Sequence, residues 1–217
     1  MRFLLFDLDG TLIRPGTDFA AMREQVQELF VAEGVPRDFN WRHILGGIDD
    51  ALAWLARDGH NASDLAELRA RAYAFIEARE REGLSHAQPI PGVREALESW
   101  RSRYQLGIFT RTHPDVMRES IAKFDLGAFD VLLSRAEGPP KPDPAQVHLA
   151  LARARVQAAE CVVVGDHVFD VQAAVAAQVP AYGVLTGSGT REALLGAGAR
   201  DVLPAVPDLE LVLGRSP

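Results

Sequence analysis

The sequence has 217 residues, 47% of them hydrophobic and 24% charged, enough apolar material for one sizeable core, with or without an insertion. Its net charge of −7 and pI near 5.4 oppose general nucleic-acid binding, which draws on excess Lys and Arg. The chain opens on no basic and apolar leader, and no apolar run approaches the roughly 18 residues of a membrane span, so a cytoplasmic protein without membrane or nucleic-acid partners is expected.

Residues 3–12 read FLLFDLDGTL. The apolar run predicts a buried strand over 3–7 that ends in Asp7 and Asp9, followed by Gly10 and Thr11. Two carboxylates at a strand end suit a divalent cation, and Asp7 is equally placed to attack an electrophile. Between residues 14 and 89 no strand is evident. Stretches such as FAAMREQVQELFVAE and LAELRARAYAFIEARE carry apolar residues at helical spacing. Within that block WRHILGGIDD at 41–50 reads as an interhelical turn, or as a segment that brings Arg42 or His43 to a binding site. From Pro91 onward, apolar runs at 106–110, 129–134, 161–166 and 180–185 alternate with helical stretches at 92–103, 114–123, 143–155, 169–178 and 190–197. The lone cysteine, Cys161, falls inside the fourth strand and is expected to be buried and reduced.

Five strands joined by long crossovers predict an α/β fold with a doubly wound, mainly parallel, Rossmann-like sheet. The expected core comprises residues 1–13 and 90–217, interrupted by an all-helical insertion at 14–89. In a parallel sheet the residues following each strand collect along one edge. That edge gathers Asp7 and Asp9, then Thr110, Arg111 and Thr112, then Lys141 of GPPKPDP, then Asp166 and Asp170 of VVVGDHVFD. Carboxylates, a hydroxyl and a fixed cation suit a phosphate held beside Mg²⁺. Lysine usage adds weight to Lys141. Only Lys123 and Lys141 occur among 23 basic residues, so a generic surface cation in this chain is an arginine, and Lys141 reads as a position that needs a compact ammonium.

Four motifs in order, DLDGTL at 7–12, IFTRT at 108–112, PKP at 140–142 and VVVGDHVFD at 162–170, resemble those of the haloacid dehalogenase-like hydrolase superfamily. The likeness is strongest to phosphoglycolate phosphatase-like phosphatases with a small helical (C1-type) cap. This resemblance implies a Mg²⁺-dependent phosphatase acting on a small phosphorylated metabolite, as a monomer or homodimer. Asp7 is then the nucleophile that forms an aspartyl-phosphate, and Asp9 the general acid and base. Thr110 and Lys141 bind the phosphoryl group, with Arg111 beside them. Asp7, the Asp9 backbone carbonyl and Asp166 hold the metal, and Asp170 supports it directly or through water. Asp9 disfavours the dehalogenase and phosphonatase branches, which do not carry an acid at that place.

The chain departs from the family pattern at His167, where a small or hydroxyl residue is usual, and at Arg111, where Asn is more common. Arg111 can reach a second anionic group of the substrate, pair with the cap, or remain solvated. Arg14 lies either at the first of two hinges, at 14–16 and 89–92, or beside the substrate. Two alternatives share these residues: a phosphoglucomutase-like phosphotransferase, and a non-catalytic module that binds a phosphorylated ligand.

Overall fold

The computed structural model describes residues 1–41 and 43–213; Arg42 lies outside them. In chain order the elements are β1 (Phe3–Phe6), β2 (Ile13–Arg14), α1 (Phe19–Val31), α2 (Ile44–Arg57), α3 (Ala62–His86), β3 (Gln88–Pro89), α4 (Val93–Trp100), β4 (Gln105–Phe109), α5 (Pro114–Lys123), β5 (Val131–Leu133), α6 (Ala145–Ala154), β6 (Cys161–Gly165), α7 (Val168–Ala176), β7 (Ala181–Val184), α8 (Arg191–Gly196), β8 (Asp201–Leu203) and α9 (Glu210–Leu213). They fall into two compact units, one of residues 1–15 and 87–217 and the other of residues 16–86.

The first unit is an α/β fold built on a six-stranded sheet in the order β5-β4-β1-β6-β7-β8, every pair of which is parallel. From β1 the chain steps outward through β4 to β5, then returns to the other side of β1 and continues through β6, β7 and β8. The order therefore reverses between β1 and β6, where such sheets hold their ligands. Register fixes which residues emerge there together, since Phe6 lies beside both Ile108 and Val164.

Helices cover both faces of this sheet, which explains why its strands read as unbroken apolar runs rather than alternating ones. Phe3, Leu5 and Val163 pack with Val147 of α6 and Val171 of α7 on one side. Leu4, Phe6 and Val164 pack with Leu97 and Trp100 of α4 on the other, where the Phe6 and Trp100 rings lie parallel with centroids 6.1 Å apart. Each such fully buried side chain contributes about 1.5–3 kcal/mol of transfer free energy. Cys161 is buried and free of any disulfide, and burial pushes its thiol pKa up to about 12, so it is an inert core residue.

The sheet has one strand more than the five expected. Asp201–Leu203 is only three residues long, with an exposed first residue, too short to carry a periodic signal. The block expected to be free of strands also ends in two-residue strands, where Ile13 and Arg14 pair antiparallel with Pro89 and Gln88.

The second unit contains three helices around a core of its own. Met22, Val26 and Phe30 of α1, Ile48, Leu52 and Leu55 of α2, and Leu68, Ala72 and Ile76 of α3 are buried together, at the three- and four-residue spacing of one helix face. The α1 helix starts at Asp18, whose carboxylate accepts the Ala21 N–H at 2.9 Å, satisfying one of the amides that a helix start leaves open. No helix among the described residues is long and apolar enough to cross a membrane.

The carboxyl-terminal α9 is tied back to the first unit through Glu210. Its carboxylate accepts both terminal nitrogens of Arg103, at 2.9 and 2.8 Å, and the indole N–H of Trp100. The Arg103 hydrogen bonds first, and then Trp100, lower its pKa from 4.5 to about 2. A depressed carboxylate pKa stabilises the fold above the unfolded value, and that contribution disappears as pH falls through the folded one. Glu210→Gln is expected to lower stability at neutral pH by about 1 kcal/mol or less, the side chain being half exposed and screened. The gap from the unsubstituted protein should close between about pH 4.5 and pH 2, as read by urea denaturation across that range; a gap independent of pH would contradict the assignment.

Candidate active site

The carboxyl edge of β1, β4 and β6 supplies the polar residues of the first unit that are buried together. Asp7 follows β1 directly, and its N–H still donates to the Val164 carbonyl at 2.9 Å, so the sheet ladder itself orients it. Gly10 has φ +90°, and a Cβ there would stand 2.6 Å from the Asp166 carboxylate. This turn accepts only glycine without distortion. It delivers Thr11, fully buried, whose hydroxyl donates to Asp166 Oδ1 at 3.0 Å.

Lys141 is 1% exposed. Its Nζ lies 2.6 Å from Asp7 Oδ1 and 2.5 Å from Asp170 Oδ1, donates to the Phe109 carbonyl at 3.0 Å, and stands 4.1 Å from the centre of the Phe109 ring. All three protons of the ammonium thus have acceptors, a distribution that a planar guanidinium does not reproduce. Burial pulls the Lys141 pKa down, Asp170 and Asp7 push it up, and the balance is upward, in favour of the ammonium form. The other lysine, Lys123, is exposed at the end of α5.

Asp7, Asp166 and Asp170 are all buried and offer carboxylate oxygens within 4.8 Å of one another. Burial raises the Asp7 pKa well above the usual carboxylate value, opposed by Lys141. Asp166 is raised to about 6, by burial first and then by the charge of Asp170. Three ionised carboxylates would outnumber the one ammonium by two charges, and burial resists that state. That excess and the all-oxygen donor set fit a hard divalent cation.

Asp9 stands apart from this cluster. It is half-buried and bonded to no lysine; instead the Thr112 hydroxyl donates to its Oδ2 at 2.6 Å. Burial raises its pKa, against the Thr112 hydrogen bond, Lys141 and Arg111. Thr110 is 1% exposed, anchored by its N–H on the Leu133 carbonyl, and its hydroxyl donates to Thr112 Oγ1 at 3.0 Å. Arg111 is half-buried, with its guanidinium 5.6 Å from the centre of the Phe169 ring.

His167 begins α7. Its Nδ1 accepts the Phe169 N–H at 3.1 Å, and Asp170 Oδ2 accepts the His167 N–H at 2.9 Å. The departure from a small residue therefore provides a helix cap, and the same cap fixes Asp170 against Lys141. Arg14 is exposed on β2 and forms no ion pair among the described residues. His43 belongs to the helical unit, where it caps α2 by accepting the Gly46 N–H at 3.0 Å. The expectation for Arg42 lies outside the described residues.

Sequence reasoning passed over the loop after β7, Thr186–Gly189. Ser188 donates to Asp166 Oδ2 through its N–H at 2.9 Å and its hydroxyl at 3.3 Å. The Gly189 N–H donates to the Asp166 carbonyl at 2.9 Å, and the Thr186 hydroxyl donates to the Gly10 carbonyl at 2.6 Å. The signal was present: TGSG follows a strand at the same sheet edge.

Fold and site together define an α/β protein with a Rossmann-like sheet and an acidic, lysine-bridged centre at its point of reversal. Residues 1–178 match the family model of the haloacid dehalogenase-like hydrolases, and the chain belongs to that family. Among its relatives is the pyrophosphatase PpaX of Bacillus velezensis, 30% identical over 179 residues that span 78% of this chain and 76% of that protein. A phosphoglycolate phosphatase of Pectobacterium atrosepticum is 26% identical, covering all of this chain and 94% of its own length. The crystal structure of a hydrolase from Pseudomonas syringae superimposes with a TM-score of 0.73 at 23% identity, over 99% and 98% of the two chains.

The Asp166 cradle is directly testable. A Cβ at Gly187 would stand 2.0 Å from Asp166 Oδ2, too close for any side chain, so Gly187→Ala must displace the carboxylate. The variant is expected to keep its far-UV circular dichroism and to lose at least tenfold in affinity for a divalent cation by isothermal titration calorimetry. Unchanged affinity would remove Asp166 from the cation site.

Proposed function

We propose that the protein is a Mg²⁺-dependent phosphatase of small phosphorylated metabolites, working through an aspartyl-phosphate on Asp7 with Asp9 as general acid and base. The observation that carries this reading is the buried set of three carboxylates around one ammonium, with a fourth carboxylate, Asp9, held nearby on a neutral partner. The names of the relatives, phosphoglycolate phosphatase and pyrophosphatase, support it.

In the first step an Asp7 carboxylate oxygen bonds to phosphorus as the ester P–O bond breaks, and Asp9 gives its proton to the departing alkoxide. In the second, Asp9 takes a proton from water as that water attacks phosphorus, releasing phosphate and regenerating Asp7. Lys141 orients Asp7, favours its ionised form against burial and balances charge on the phosphoryl oxygens, while the Thr110 hydroxyl donates to one of them. Asp7, Asp166 and the Asp9 carbonyl would hold Mg²⁺. Asp170, whose oxygens meet Lys141 and the His167 N–H, is proposed to support the cation directly or through water. When bound, Mg²⁺ supplies Lewis-acid neutralisation of phosphoryl charge.

Arg111, oriented by Phe169, is proposed to meet anionic oxygens of the substrate beside Thr110. The helical insertion at 14–89 is proposed to act as the cap that selects the leaving group, Arg14 serving its first hinge; exchanging it for the cap of a relative should change substrate preference and leave Mg²⁺ dependence intact.

The deciding experiment is a screen of purified protein, with Mg²⁺ and with chelator, against phosphoglycolate, pyrophosphate, sugar phosphates and an aryl phosphate. Inorganic phosphate released only with Mg²⁺ is expected, and isomerised sugar phosphate would favour the phosphotransferase instead. Asp7→Asn should reduce turnover by about 10³-fold or more; near-full activity would overturn the nucleophile assignment. Lys141→Arg should lose most activity while remaining folded, because the guanidinium cannot serve Asp7, Asp170 and the Phe109 carbonyl from one point.

A further inference from the structure

We infer that Thr112 is a positioning residue for the proton-transferring carboxylate, Asp9: its hydroxyl fixes one oxygen and leaves the other free to exchange the proton. The inference rests on the phosphatase reading above and adds to it a residue with no role there. Thr112 is 7% exposed, so its hydroxyl needs a partner within the protein, and that partner is Asp9 Oδ2 at 2.6 Å. An ionised carboxylate only accepts, which sets the direction of the whole chain. Thr112 donates to Asp9, Thr110 donates to Thr112 at 3.0 Å, and the Thr112 N–H closes the turn on Thr110 Oγ1 at 3.2 Å.

Two consequences follow from that direction. With Oδ2 occupied by a donor, the transferable proton belongs on Oδ1, for which no donor is found among the described residues. The rotamer of Asp9 is likewise set by a side chain from another strand end, 103 residues away in sequence. When a phosphoryl oxygen draws the Thr110 hydrogen to itself, the Thr112–Asp9 bond is unaffected. Phosphate binding and acid placement thus share one loop but use different hydrogens. Loss of the Thr112 hydroxyl should therefore reduce turnover, with little effect on KM.

The test compares Thr112→Val and Thr112→Ser with Asp9→Asn, on an alkyl phosphate and on an aryl phosphate whose leaving group needs little protonation. Thr112→Val should lower kcat for the alkyl ester about 10- to 100-fold, the range of one hydrogen bond to a charged group, with the aryl ester and both KM values changed by less than about threefold. Thr112→Ser should restore alkyl turnover. In a crystal structure of Thr112→Val, Asp9 should leave its rotamer, a readout independent of turnover. Equal losses on both esters, or an unmoved Asp9 with full alkyl turnover, would overturn the role of Thr112. Asp9→Asn with equal losses on both esters would instead overturn the acid assignment, and with it this inference; an unsubstituted protein that releases no phosphate would overturn the phosphatase reading on which both rest.

Discussion

The ammonium of Lys141, set between Asp7 and Asp170 with less than 3 Å to each, is the interaction around which the carboxyl edge of the sheet is arranged. Each partner comes from a different part of the chain: Asp7 from the end of β1, Asp170 from the first turn of α7, Lys141 from the proline-rich loop before α6. None of them is tolerable in that position alone, because an unpaired charge in a buried site costs several kcal/mol. Together they require β1, β6 and the loop at 139–144 to be assembled in one register, which couples the chemistry to the sheet.

As a stabilising device this arrangement is poor. A buried ion pair roughly offsets its own desolvation, and apolar replacements of similar volume are often neutral or better. Here the charges do not even balance, since Asp166 adds a third carboxylate within 4.8 Å. It is itself held by three donors from two loops, Thr11 Oγ1 and both the N–H and Oγ of Ser188. Such investment in keeping a surplus of negative charge at a sheet edge makes sense for a site that receives a cation, and the chain belongs to a family of hydrolases. Stability then resides elsewhere, in the apolar layers above and below the strands and in the separate core of α1, α2 and α3.

What the sequence disclosed and what it hid divide along a physical line. Residues immediately after a buried strand were legible, because the apolar run marks the strand and parallel order carries all such ends to one edge; Asp7, Thr110 and Asp166 are of this kind. Lys141 was legible through its rarity. The strand Asp201–Leu203 was not, because three residues set no period, nor was the pairing of Ile13 and Arg14 with Pro89 and Gln88, which depends on a chain returning after more than seventy residues. Thr11 and Thr112 were legible in place but not in partner, and Ser188 in neither, for another reason. Hydroxyl residues are common in turns, and nothing local distinguishes a hydroxyl that caps a helix from one that holds a distant carboxylate. Only the fold supplies the partner.

The same distinction explains how two aspartates one residue apart come to differ. Strand alternation alone would put residues i and i+2 on one face, but both aspartates lie beyond the end of β1, and the turn there carries them to different surroundings. Asp7 faces the Lys141 ammonium, which opposes the upward push that burial gives its pKa. Asp9, half-buried, faces a neutral hydroxyl that orients it, its hydrogen bond and the charge of Lys141 lowering a pKa that burial raises. Under the proposed mechanism Asp9 gives and takes a proton in one cycle, and a neutral partner serves that better than a lysine at the same distance, which would favour the ionised form more strongly. The difference between the two acids of the DLDGT motif is thus written less in the motif itself than in what the second and third crossovers bring to each of them, Thr112 to Asp9 and Lys141 to Asp7.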